Sequence, residues 1–66
     1  MQIRLNGEPH ALPDRVTIHA LLDTLGVASE RVAVEVNRRI LTRSEFTVVT
    51  VKDGDEVEVV TFVGGG

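Results

Sequence analysis

Gly64, Gly65 and Gly66 end a 66-residue chain that holds six glycines and no cysteine. A run of glycine is thin backbone without Cβ atoms. Three extended residues reach roughly 10 Å, a shape suited to threading a carboxyl terminus into a narrow active site of another protein. The chemistry expected there is that of the α-carboxylate, whose reference pKa of about 3.3–3.7 makes it an anion at neutral pH. A carboxylate is a poor electrophile. It must first become an activated acyl group, which in ATP-using systems is an acyl-adenylate. The activated carbonyl can then accept a sulfur nucleophile and become a thiocarboxylate. Without cysteine, no side chain can carry sulfur as a persulfide or thioester instead. The competing reading of a glycine run is an inert, frayed end. Against it, these glycines follow the apolar Val60-Thr61-Phe62-Val63 directly, with no polar linker.

Side-chain chemistry is sparse. His10 and His19 match no metal-ligand spacing, and both read as solvated surface residues. Ser29 and Ser44 lie in no nucleophile-elbow pattern. No glycine-rich phosphate loop precedes a helix. The formal net charge of −3 argues against nucleic-acid binding, which needs a basic face. Phe46 and Phe62 are the only aromatics available for base stacking. No apolar run approaches the roughly 20 residues of a membrane span, and the N-terminus lacks a signal-peptide block. The expectation is a cytoplasmic monomer that binds no metal or cofactor.

The elements that must hold the tail follow from periodicity. Met1 to Leu5 alternates, with Met1, Ile3 and Leu5 on one face. Asn6-Gly7 is a hairpin signal. The return strand, about Glu8 to Leu12, contains Pro9 and belongs at a sheet edge. Thr17 suits a helix N-cap, Val16 and Leu21 a hydrophobic staple, and Gly26 the C-terminal stop. Ile18, Leu21, Leu22 and Leu25 form one apolar stripe. Val32, Val34 and Val36 mark a half-buried strand. Asn37-Arg38-Arg39 reads as a turn into a short strand at Ile40-Leu41. Ser44-Glu45 suggests a helical turn, and Thr47 to Val51 is strand or irregular. Asp53-Gly54 turns into a last strand, Glu56 to Val63. That strand becomes apolar on both faces at Val60 and Phe62, which implies either a central position or an exposed patch near the tail. The sum is a two-layer α+β domain over residues 1–63, a mixed sheet of four to five strands with one main helix packed on one face. Residues 64–66 form a flexible tail. Asp53, Asp55, Glu56 and Glu58 crowd acidity near its root, either a steering field for a basic partner or a solvated turn.

Four stretches resemble the thiamine-biosynthesis sulfur carriers, the ThiS family, over essentially the whole chain. They are Met1-Gln2-Ile3-Arg4-Leu5-Asn6-Gly7, then Val16-Thr17-Ile18-His19-Ala20-Leu21-Leu22, then Val34-Glu35-Val36-Asn37 with Ile40, Arg43 and Phe46. The last runs from Asp53-Gly54-Asp55 through Phe62-Val63-Gly64-Gly65-Gly66. The resemblance implies a ubiquitin-like β-grasp fold with first and last strands parallel at the sheet's centre. It also implies a carrier rather than an enzyme. A ubiquitin-activating-like adenylyltransferase would adenylate Gly66 with ATP, sulfur would come from cysteine by way of a cysteine desulfurase, and thiazole synthase would take the sulfur. Gly65 and Gly66 map onto the family's essential pair, whereas Gly64 need not be glycine. Thr42 stands where relatives often have proline. Val60, Phe62, Val63 and Gly64 are the expected partner contacts, with Phe62 and Val60 as apolar anchors; ordinary sheet packing is the alternative for both. Three competing functions stay open: a molybdopterin-type sulfur carrier, a ubiquitin-like modifier, and a binding module with an inert tail.

Overall fold

In the computed structural model, residues 1–62 are described. Five strands, β1 (Gln2–Leu5), β2 (Glu8–Ala11), β3 (Val32–Val36), β4 (Arg39–Ile40) and β5 (Glu56–Thr61), form one sheet in the order β2-β1-β5-β3-β4. β1 and β5 run parallel and every other pair is antiparallel. The one α-helix among the described residues, α1 (Ile18–Leu25), supplies the second layer. This is the expected β-grasp arrangement, with β5 in the middle and Pro9 on the outer strand, where its missing N–H breaks no ladder.

Local chemistry explains the elements. Asn6 and Gly7 have φ of 51° and 83°, the left-handed pair of a tight hairpin turn whose twist matches its strands. A second such turn is built from Asn37 and Arg38, at 50° and 70°; β4 therefore begins at Arg39, one residue before the expected start. At the head of α1, the Thr17 hydroxyl accepts from the Ala20 N–H at 3.1 Å. The two N–H groups ahead of it, on Ile18 and His19, donate to the Val49 and Phe46 carbonyls at 3.1 and 2.8 Å. The irregular segment between Phe46 and Val51 thus satisfies a helix end that would otherwise be orphaned against the core. At the other end Gly26 adopts φ 74°, and Val27 donates back to the Leu22 carbonyl at 3.1 Å. That is the Schellman closure expected of a left-handed C-terminal glycine.

The core lies between the layers. Ile18, Leu21 and Leu22 of the helix meet Ile3, Val32, Val34 and Val57 of the sheet, all buried, with Leu25 packed at the margin. Leu12, Val16, Leu41, Phe46 and Val51 close the sides. Phe46 is carried by a 3₁₀ turn (Arg43–Glu45). In that turn the Glu45 carboxylate accepts the Thr42 N–H at 2.8 Å in a capping box. Thr42 thereby starts the turn with a side-chain cap at the position where the resemblance would put a proline. The Thr47–Val51 stretch contributes only one bridge, between Thr50 and Thr17. No helix among the described residues is long and apolar enough to cross a membrane.

Candidate functional site

The site is built on β5, whose alternation separates two faces. Val57 is fully buried and Val59 half-buried toward α1, whereas Glu56, Glu58 and Val60 point to the uncovered side. Because the only α-helix among the described residues lies on the other face, none of those residues covers this one. Val60 is 57% and Phe62 56% exposed, so neither belongs to the buried core of the described residues. A strand in the middle of a sheet normally has both faces covered or its outer face polar. Here the polar face turns apolar as the strand ends, and Ala33, paired with Val60 on β3, extends the apolar strip sideways.

The backbone of β5 is held unevenly along its length. On one edge it pairs with β3 through Val57, Glu58, Val59, Val60 and Thr61, and the Phe62 N–H continues this edge by donating to the Arg31 carbonyl at 2.7 Å. On the other edge β1 covers only Glu56 and Val57. β5 is therefore stiff where it crosses the core and bordered on one side only as it reaches Phe62. The expected last strand ran to Val63; the strand proper stops at Thr61. Val63, Gly64, Gly65 and Gly66 lie outside the described residues, and so does the expectation of a flexible tail.

The acidic run divides according to its hydrogen-bond partners. Asp53 accepts the Gln2 N–H at 2.7 Å. Asp55 accepts the Lys52 N–H at 2.8 Å and the Asn37 side-chain amide at 3.0 Å. These two carboxylates are engaged in closing the turn into β5. Glu56 and Glu58 instead stand on the open face, and Glu35 lies directly across from Glu58 on β3. Together with Arg4 and Arg38 they line a shallow depression of about 200 Å³. Like charges directly opposite one another on a sheet repel, so this end of the face is polar and solvated while the Val60–Phe62 end is apolar.

His10 and His19 do not meet. His10 pairs with Ile3 on the edge strand, and His19, half exposed on α1, sits 3.5 Å from Asp23. Among the described residues no group of His, Asp or Glu is arranged to hold a metal ion, and no buried side-chain N or O lacks a hydrogen-bond partner. Two devices escaped sequence reasoning. One is the bonding of the Asn6 and Asn37 side chains to β5, for which Asn-Gly and Asn-Arg turns carry no signal. The other is the satisfaction of the head of α1 by the Phe46–Val51 segment, which is invisible to local periodicity.

Comparison with known proteins agrees with this geometry. The family model described as ThiS family matches residues 3–66. The chain is 42% identical to the thiamine biosynthesis protein (ThiS) of Geobacter metallireducens, whose crystal structure superposes with a TM-score of 0.85 and full coverage of both chains. It is 39% identical over 62 residues to the sulfur carrier protein ThiS of Thermus thermophilus, covering 94% of this chain and 95% of that one. It is also 46% identical over 66 residues to a thiazole synthase of Magnetococcus marinus. That match takes in all of this chain and 20% of the relative, so the chain spans about a fifth of the length of that protein.

Proposed function

Since the chain belongs to the ThiS family, we propose that it is a sulfur carrier of thiamine biosynthesis whose reacting group is the carboxylate of Gly66. A carboxylate oxygen of Gly66 attacks the α-phosphorus of ATP on a ubiquitin-activating-like adenylyltransferase, and pyrophosphate leaves. The terminal sulfur of a persulfide, formed from cysteine on a cysteine desulfurase, attacks the adenylate carbonyl and AMP leaves; a thiol then reduces the resulting acyl disulfide and frees the thiocarboxylate. Thiazole synthase accepts that sulfur. The carrier is a co-substrate of its partners: ATP and the catalytic groups are theirs, and the domain of residues 1–63 delivers a tail of residues 64–66. Gly65 threads the partner's channel, with Val63 and Gly64 at its mouth and Val60 and Phe62 seated on its rim. The free protein is a cytoplasmic monomer.

The observation that carries this reading is the end of β5. A strand anchored in the centre of the sheet delivers two exposed apolar side chains, Val60 and Phe62, with Val63 alone between them and the glycine run. Burial of such a patch on a partner is the ordinary source of docking energy. Thiazole synthase as acceptor is supported by relatives that bear that name and contain a segment matching this whole chain.

The test is removal of Gly65 and Gly66. The shortened chain should unfold at the same temperature as the full one and accept no sulfur from ATP, adenylyltransferase and a sulfur source. Exchange of one oxygen for sulfur adds nearly as much mass as oxidising Met1 to its sulfoxide, so fragment spectra of the full chain must place the change on Gly66. Sulfur delivery by the shortened chain would overturn the proposal.

A further inference from the structure

β1 turns away from β5 too early to support the end of the strand. Its ladder reaches Leu5 opposite Val57, and the next residue, Asn6, enters the left-handed turn at φ 51°. The Asn6 backbone N–H still donates to the Val57 carbonyl at 2.9 Å. Its side chain then takes over where the strand would have continued. Oδ1 accepts the Val59 N–H at 2.8 Å and Nδ2 donates to the Val59 carbonyl at 3.3 Å. A primary amide offers one acceptor and a donor in nearly the spacing of a peptide group, so Asn6 acts as one extra unit of β1. Val59 is the last described residue of β5 held on that edge; Thr61 beyond it pairs with Val32 on the other.

Asn37 is a built-in comparison. It occupies the same place in the second left-handed turn, at φ 50°, and it too bonds β5 through its side chain, Oδ1 accepting the Glu56 N–H at 3.0 Å. It holds the start of β5, far along the strand from the tail, whereas Asn6 holds the end from which the tail grows.

We propose that Asn6 is a positioning residue for sulfur transfer: its side-chain amide fixes the end of β5 at Val59 and thereby presents Val60 and Phe62 to the partner already in their docked orientation. The role rests on the carrier reading given above. It acts on docking and leaves the reaction at Gly66 untouched. Ordering that is complete before binding does not have to be supplied during it, so loss of the amide should appear in KM and not in kcat.

Glycine is the informative replacement, because it accepts positive φ without strain and removes only the side chain. In full-length Asn6→Gly, exchange of the Val59 amide should quicken about tenfold, in keeping with the loss of one or two modest hydrogen bonds. KM for the carrier in ATP-dependent adenylation should rise roughly fivefold with kcat unchanged. Asn6→Asp, which keeps the acceptor and loses the donor, should fall between. Asn37→Gly should quicken the Glu56 amide and leave KM where it was, at a temperature where both variants are fully folded. Equal KM changes for Asn6→Gly and Asn37→Gly would reduce Asn6 to a stabilising residue and overturn the proposal, as would an unchanged KM in Asn6→Gly. The exchange measurement needs no partner. If the wild-type chain is not adenylated, the carrier reading fails by itself. Even then, an unaltered Val59 amide would show that Asn6 does not hold the strand end.

Discussion

Replacing Phe62 by alanine separates docking from folding more cleanly than any other single change. A phenylalanine buries about 150–250 Å² when fully covered. With 56% of Phe62 exposed, roughly 110 Å² remains to be covered by a partner. At about 25 cal/mol per Å² this amounts to nearly 3 kcal/mol, an upper bound, because immobilising the ring and imperfect coverage each subtract from it. We expect Phe62→Ala to weaken binding to the adenylyltransferase by about 1–2 kcal/mol, roughly 5- to 30-fold in Kd. The same change should alter folding stability by no more than about 0.5 kcal/mol, the usual range of surface substitutions, since Phe62 is no member of the buried core. Titration calorimetry and urea denaturation on the same preparations measure the two quantities. Val48 is the control. It is 75% exposed, more than Phe62, but it follows the 3₁₀ turn and lies off the β5 face; Val48→Ala should bind as wild type does. Binding of Phe62→Ala within twofold of wild type, or an equal loss in Val48→Ala, would refute the idea that the end of β5 is the docking surface.

Two further outcomes concern stability. Gly26→Ala places a Cβ where no atom lies within 4 Å, yet at φ 74°. Its cost is therefore backbone strain alone, about 1–2 kcal/mol, or several degrees in Tm for a domain of this size; an unchanged Tm would show that the helix end relaxes. Glu45 is held below its ordinary 4.5 first by the Thr42 backbone N–H and then by the Arg39 guanidinium. A carboxyl whose folded pKa lies below its unfolded one stabilises fully above the unfolded value, and that contribution disappears as the pH falls through the folded value. Glu45→Gln should therefore be less stable than wild type at neutral pH and lose less stability between about pH 5 and about pH 3. Parallel denaturation profiles over that interval would contradict the assignment.

What the residues determine locally was legible in the chain itself. The Asn6-Gly7 turn, the Thr17 cap, the Ile18–Leu21–Leu22–Leu25 stripe, the Gly26 stop and the valine alternation of β3 depend on steric and hydrogen-bonding preferences that act within a few residues, and the structure repeats them. The glycine run is likewise a matter of sequence. Tertiary structure alone decided which side of β5 is covered. Val60 and Val59 are the same residue type, and only the presence of one α-helix on one face leaves Val60 exposed while Val59 is packed. It also decided how the acidic run divides, because the Asp55 partner Asn37 is 18 residues away. Asn6 shows both levels at once. Its tolerance of positive φ is intrinsic, whereas its bond to Val59, 53 residues along the chain, exists only because parallel pairing of the first and last strands carries a turn amide to the spot where β1 runs out.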